Sequence, residues 1–98
     1  MAQFDVYRTR DNDLLIDCQS EAFGHLKTRL AAPLTPMDRS PPRQVRLNPI
    51  FDIDGEQYMM ITQFAGAINA SEFRTRVTSL AAYRFDIIGA FDVLMTGV

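Results

Sequence analysis

The sequence predicts a mainly β, α+β fold: a small antiparallel sheet or barrel that carries one C-terminal helix. Five or more short segments have the apolar alternation or the β-branched and aromatic content of strands. Turn-forming residues separate them, and a sustained helical apolar period occurs between residues 79 and 98. The chain of 98 residues is long enough for one domain with a single core. We expect strands within residues 3–70 and a helix at 79–96.

The strand candidates combine an apolar pattern with a turn at each end. They are residues 3–7, 14–19, 26–34, 45–50, 51–53, 58–62 and 63–70. Asp54-Gly55 is the clearest hairpin signal, because both residues tolerate a positive φ. Pro33 and Pro36 are expected to end the third strand or to confine it to a sheet edge, since proline has no N–H to donate.

Loops are predicted at residues 8–13, 20–24 and 35–44, which are rich in charged, Asp, Asn or Pro residues. Within the second loop, Phe23 is either a plug of the core or an exposed contact. Residues 71–77 fit a short helical turn or a strand equally well.

The predicted helix has two faces, and Thr78 or Ser79 is its candidate N-cap. An apolar stripe about 120° wide is expected to pack on the core. An opposite stripe of small residues, together with the apolar tip, is expected to contact a partner. The first stripe contains Ile87, Ile88, Phe91, Leu94, Met95 and Val98, and the second contains Ala82, Gly89, Ala90, Val93 and Gly97.

Composition and charge exclude several classes of protein. The net charge of −2 does not favour a nucleic-acid binder, and the 47% hydrophobic content argues against disorder. Cys18 is the single cysteine, so an intrachain disulfide is impossible, which fits a reducing compartment. A signal segment and an apolar run of about 18 residues are both missing, so a cytoplasmic protein without a membrane anchor is expected.

The residues that usually carry catalysis do not form a constellation. His25 is the only histidine, and Cys18 lies in a predicted strand without a second cysteine, which is typical of a buried thiol. Asp52 and Asp54 flank the predicted turn, where aspartate is favoured anyway. We therefore expect no enzyme, no cofactor and no metal site. The alternating arginines, Arg8 with Arg10 and Arg74 with Arg76, are interpreted as solvated strand edges or as a patch for a protein or nucleic-acid partner.

Several short motifs follow one another through almost the whole chain. They are Gln3-Phe4-x-Val6-Tyr7, Asp17-x-Gln19-Ser20, Pro33-Leu34, Met59-Met60-x-Thr62, Asp86-Ile87-x-x-Ala90 and Gly97-Val98. In order, spacing and total length they resemble the CcdB-type toxins of bacterial toxin–antitoxin modules.

The resemblance implies an SH3-like antiparallel β-barrel of the CcdB/MazF type with a long C-terminal helix, assembled as a homodimer. It implies a non-catalytic poison that binds the A subunit of DNA gyrase and traps the cleaved-DNA complex. A CcdA-type antitoxin would neutralise the toxin, and operator DNA would be bound only together with that antitoxin.

The gyrase contacts implied by the resemblance are Ala22, Phe23, Asp92, Met95, Thr96, Gly97 and Val98, and Arg8 and Arg10 are the candidate antitoxin contacts. Thr96 stands where the best-known members have tryptophan, and Asp92 replaces an amide. Loss of an indole removes a large interface surface. Weakened gyrase binding, or a different mode of contact, is therefore part of the expectation.

Two alternatives belong to other classes. An mRNA interferase of the MazF type would use Arg29 or Arg46 with a nearby threonine, although the acidic composition counts against RNA binding. A degenerate toxin would still fold, dimerise and bind an antitoxin without poisoning gyrase.

Overall fold

A computed structural model describes residues 1–98 and contains seven strands and one long helix. All strand pairs are antiparallel, in the order β4-β5-β3-β2-β1-β7, with β6 also paired to β3. The curled, barrel-like sheet and its C-terminal helix confirm the predicted fold class. The elements are β1 Asp5–Arg8, β2 Leu14–Asp17, β3 Thr28–Pro36, β4 Ile50–Ile53, β5 Glu56–Met60, β6 Gly66–Asn69, β7 Thr75–Ser79 and α1 Arg84–Thr96.

Strand β3 is the centre of the sheet, because it pairs with β2 on one side and with β6 and β5 in succession on the other. The expectation that Pro33 would end this strand or push it to an edge is wrong. Pro33 lies opposite Leu15, and its carbonyl accepts a hydrogen bond from Ile61 N–H at 2.9 Å. The backbone nitrogen and carbonyl of Pro33 therefore point away from β2. Pro33 lies between the residues of β3 that pair with β6 and those that pair with β5, where the ladder needs no N–H from β3.

Two other parts of the strand prediction are corrected or decided. Residues 45–48 form a turn instead of a strand, because Leu47 and Asn48 both donate their N–H to the carbonyl of Gln44. The fully buried Asn48 side chain pins this turn to the sheet by donating to the carbonyl of Met60 at 3.0 Å. The undecided segment 71–77 is divided between a short 3₁₀ turn and the start of β7.

The hairpin between β4 and β5 is confirmed. Asp54 and Gly55 have φ values of 53° and 84°, and Ile53 pairs with Glu56 across them. Two consecutive positive φ angles are typical of a type I′ turn, whose twist matches that of the flanking strands.

Helix α1 begins at Arg84 and not at Ser79, because Ser79 is the last residue of β7. Neither predicted cap serves α1; the Ser79 hydroxyl accepts instead from Ala81 N–H in the 3₁₀ turn that precedes the helix. No helix of the structure is long and apolar enough to span a membrane.

The core lies inside the curl of the sheet, and α1 closes it. The fully buried residues of the helix are Ile87 and Ala90, and Phe91 packs beside them. The main cluster of buried residues contains Phe4, Val6, Leu14, Ile16, Cys18, Ala32, Leu34, Phe51, Ile53, Tyr58, Met60, Leu80, Ile87 and Ala90.

The two predicted helix stripes are therefore divided differently by the structure. From the large-residue stripe, only Ile87 and Phe91 pack on the core, whereas Ile88, Leu94 and Met95 are exposed. Ala90, from the small-residue stripe, is buried. A helix with apolar residues around most of its circumference does not specify by itself which face it buries.

The hairpin gives the first prediction. Substitution Gly55→Ala should destabilise the protein by about 1–2 kcal/mol, because a Cβ is strained at positive φ. Gly66→Ala on β6 is the matched control, since Gly66 lacks a positive φ and a methyl group there would meet no other atom; it should be neutral or stabilising by up to about 1 kcal/mol. Urea unfolding of both variants measures the difference, and equal effects would contradict the turn assignment.

Candidate functional site

The tip of α1 is an apolar projection at the end of the helix. Met95 and Val98 are 82% and 75% exposed, and Asp92, Thr96 and Gly97 are exposed with them. The Thr96 hydroxyl donates to the carbonyl of Asp92 at 2.6 Å, so it is already bonded within the helix. The five implied gyrase contacts at the C-terminal end of α1 are thus all exposed to solvent.

Gly97 ends the helix. Its φ of 78° is left-handed, and its N–H donates to the carbonyl of Val93 at 2.8 Å, as in a glycine C-cap. Apart from the neighbouring residues in the chain, no atom lies within 4 Å of the position that a Cβ would take. The backbone conformation therefore explains the glycine, and the space above it remains open to a partner.

The loop after β2 presents the other implied contacts. Residues Glu21–Phe23 form a 3₁₀ turn, and the Ser20 hydroxyl accepts from Ala22 N–H at 3.2 Å. Phe23 is 55% exposed, so its interpretation as a plug of the core is wrong, and its role as a contact stays a prediction. An aromatic ring held on a short turn is a typical anchor residue of a protein interface.

The turn at residues 21–23 and the tip of α1 belong to separate parts of the chain. The helix packs mainly on the turns at 62–64 and 81–83, and no hydrogen bond or ion pair connects it to residues 21–23. The implied contacts of one chain therefore come from two segments, residues 22–23 and residues 92–98.

A buried ion pair lies next to the loop, and the sequence reasoning missed it. Arg29 Nε and Nη2 donate to Oδ2 of Asp17 at 3.0 and 2.6 Å, and both side chains are almost completely buried. The signal that could have indicated this ion pair is Asp17, a carboxylate within an otherwise apolar strand. This pairing also means that Arg29 is not accessible to RNA, which contradicts its suggested interferase role.

The other arginine suggested for an interferase lies on the surface. Arg46 lines a groove of about 410 Å³ between residues 43–50 and α1, together with Arg43 and Asp86. The groove has no threonine among its lining residues, so the arginine–threonine combination suggested from the sequence does not occur there.

The candidate antitoxin residues are placed differently from their prediction. Strand β1 ends at Arg8, and Arg10 lies in the following turn, so the two do not share a strand face. Arg8 Nη1 donates to Oδ1 of Asn12 at 3.3 Å. The Arg8 side chain also lines a groove of about 390 Å³, together with Asp13 and Glu56. The groove has mixed charge.

Of the four arginines interpreted as strand-edge residues, Arg76 is the one that forms an ion pair. Its Nε donates to Oδ2 of Asp5 at 3.1 Å, and this hydrogen bond, followed by the charge of Asp5, raises the pKa of Arg76. The solvated-edge interpretation therefore describes this position well.

Cys18 is a buried thiol, as the sequence predicts. Its Sγ donates to the carbonyl of Ile16, and burial, followed by the charge of Asp17, raises its pKa from 9.0 to about 12. A protonated, buried thiol is a poor nucleophile. His25 and Asp54 are exposed and lie apart from it in the 24–27 loop and the β4–β5 turn.

Comparison with protein-family models matches residues 3–97 to a family described as CcdB protein. The match covers all seven strands, α1 and both groups of implied gyrase contacts except Val98. A search of curated proteins finds no match.

The ion pair gives the second prediction. Asp17→Asn should destabilise the protein by about 3–5 kcal/mol, because it leaves the Arg29 guanidinium buried without a counter-charge. Arg76→Gln is the control: the Arg76 side chain is 54% exposed, only its partner Asp5 is buried, and the glutamine amide can still donate to that carboxylate, so the effect should be smaller. Comparable losses in urea unfolding would show that burial does not distinguish the two pairs.

The thiol gives the third prediction, on pH. Because the folded pKa of Cys18 is raised from 9.0 to about 12, the unfolded chain loses this proton first. The stabilisation of the folded state by the protonated Cys18 thiol is fully present below pH 9. It decreases as the pH rises towards 12, by at most about 1.4 kcal/mol per pH unit.

Cys18→Val isolates the effect of the thiol from that of Tyr7, whose pKa is also raised, first by burial and then by the charge of Asp5. The stability of wild type should fall more steeply than that of Cys18→Val between pH 9 and 10.5 in urea titrations. Parallel curves would contradict the raised thiol pKa.

Proposed function

The chain belongs to the CcdB family of toxin–antitoxin toxins, and from this membership we propose that it poisons DNA gyrase without catalysing a reaction. A protein that binds the cleaved-DNA state of gyrase more tightly than the resealed state shifts the population towards the cleaved state. This mechanism requires a complementary surface and no nucleophile. It acts in the cytoplasm, where gyrase and DNA are present.

The observation that carries the proposal is the exposed apolar tip of α1. Met95 and Val98 project from the helix end, and the left-handed Gly97 between them leaves open space around its Cα. Large exposed apolar groups at a convex tip suit insertion between two gyrase A subunits, since burial there removes apolar surface from water. The exposed Phe23 adds an aromatic contact on the loop.

Two tip residues moderate the expected affinity. Thr96 offers little apolar surface, and its hydroxyl is bonded to Asp92 within the helix. The Asp92 carboxylate is exposed and forms no ion pair, so a gyrase surface without a cation would have to leave it solvated. The protein is accordingly a weaker poison than one with an indole and an amide at these positions.

A homodimer is part of the proposal. Away from the tip, helix α1 leaves Phe85, Ile88 and Leu94 exposed, with Phe85 at 81%, and exposed apolar side chains of this size favour burial in an interface. A twofold axis through such a surface would make a self-complementary contact and bring two tips to one side of the assembly.

A CcdA-type antitoxin is the proposed second partner. Neither Arg8 nor Arg10 forms an ion pair, so both can pair with carboxylates of a disordered segment that orders on binding. Operator DNA would be bound only by the toxin–antitoxin complex, because the net charge of −2 gives the toxin alone little attraction to phosphate.

The fourth prediction tests the poison. Purified protein should make gyrase accumulate cleaved DNA and lose supercoiling activity, and Met95→Arg should reduce this effect at least tenfold by placing a charge in an apolar contact. Met37→Arg, at a surface methionine remote in sequence from both contact groups, is the matched control and should poison like wild type. A chain lacking Gly97 and Val98 should be inactive.

Equal activity of Met95→Arg and Met37→Arg would remove the tip from the contact. If the wild-type dimer leaves gyrase unaffected, the poison proposal is wrong, and an RNA cleavage assay then separates an interferase from a degenerate toxin.

A further inference from the structure

The Gln19 side chain connects the Phe23 turn to the central strand of the sheet. Its Oε1 accepts a hydrogen bond from Leu30 N–H at 2.9 Å, and its Nε2 donates to the carbonyl of Phe23, also at 2.9 Å. One amide group therefore bonds to β3 with its oxygen and to the turn with its nitrogen, and Gln19 is half-buried between them.

The position of Gln19 explains how this bridge forms. Cys18 N–H donates to the carbonyl of Leu30 at 2.7 Å, which continues the β2–β3 pairing past the end of β2. The chain then leaves the sheet. The N–H of Leu30 donates to the Gln19 side chain instead of to a main-chain carbonyl. The backbone can turn away at this point without leaving that N–H unpaired.

The remaining hydrogen bonds of the turn are almost all local. Phe23 N–H donates to Ser20, Gly24 N–H donates to Glu21, and Leu26 N–H donates to Phe23. One further contact, from Gln3 N–H to a Glu21 carboxylate oxygen, is long at 3.3 Å and reaches the N-terminal segment. The hydrogen bonds of the Gln19 amide group are thus the ones that join the Phe23 backbone to the sheet.

The buried ion pair holds Gln19 from the other side. Oδ1 of Asp17 accepts from the backbone N–H of Gln19 at 3.1 Å, while Oδ2 receives both donors of Arg29. Arg29 itself lies beneath the end of the turn, with Nη1 3.6 Å from where a Cβ on Gly24 would be. The backbone that carries the amide is therefore fixed by a charge-assisted network.

We propose that Gln19 is a positioning residue that holds the exposed Phe23 ring ready for its partner, and this inference rests on the proposed gyrase contact at Phe23. A pre-ordered turn does not have to lose conformational freedom on binding, and immobilising a flexible contact weakens affinity by about threefold to tenfold. Gln19 thus acts on affinity through Phe23 without touching the partner.

Gln19→Glu tests the bridge at one atom. The carboxylate keeps an acceptor for Leu30 N–H but loses the donor to the carbonyl of Phe23. Gln57→Glu is the matched control, because Gln57 is exposed on β5 and the change adds the same charge. Gln19→Met is a neutral second variant that loses both bonds at similar length, in case the new charge beside Asp17 disturbs the fold.

The first measurement is the backbone order of residues 22–24 by ¹⁵N relaxation and amide hydrogen exchange, which needs no partner. Both Gln19 variants should show lower order there than wild type and Gln57→Glu. The Leu30 amide should stay protected in Gln19→Glu and exchange faster in Gln19→Met. Unchanged order of residues 22–24 in both Gln19 variants would overturn the inference.

The second measurement is binding to purified gyrase A subunit by calorimetry, in a cycle with Phe23→Ala. Gln19→Glu should weaken binding about threefold to tenfold at an unchanged Tm, and it should have no further effect once Phe23 is alanine. Additive losses would overturn positioning through Phe23. If wild type does not bind gyrase A, the proposed function fails, while the relaxation data still decide whether Gln19 orders the turn.

Discussion

The pairing of β3 with three other strands is the constraint on which the rest of the structure depends. One edge of β3 pairs with β2. The other edge pairs with β6 up to Ala31 and with β5 from Leu34 onwards. Pro33 is tolerated between these two pairings because no N–H is required from it there, while its carbonyl accepts from Ile61 N–H. Every loop that presents a candidate contact therefore emerges from an element that is aligned, directly or through β2, on this strand.

The same strand carries the chemistry that supports the Phe23 turn. Arg29 and Leu30 are neighbours on β3; the first neutralises Asp17, and the second donates to the Gln19 side chain. A buried ion pair contributes little net stability against an apolar substitute, but loss of one partner is expensive. The pair also orients the chain, since Asp17 accepts from the N–H of Gln19 at the point where the chain leaves the sheet and turns towards Phe23.

Helix α1 combines two requirements that conflict. Its contribution to the core is small, because only Ile87 and Ala90 are fully buried, and the apolar side chains at its other faces remain in solvent. Exposed apolar surface reduces the solubility of a monomer and favours association. The helix is therefore attached to the sheet by a narrow contact and leaves exposed the apolar surface that the proposed function assigns to partners.

The sequence alone determined the features that depend on neighbouring residues. The antiparallel class, the Asp54-Gly55 hairpin and the apolar tip with its terminal glycine follow from local backbone preferences and from hydrophobic periodicity. Tertiary structure decided what depends on residues far apart in the chain. The central position of Pro33, the burial of Arg29 against Asp17 and the face that α1 turns to the core are set by strand partners and packing, because a local pattern does not specify which surface will be opposite it.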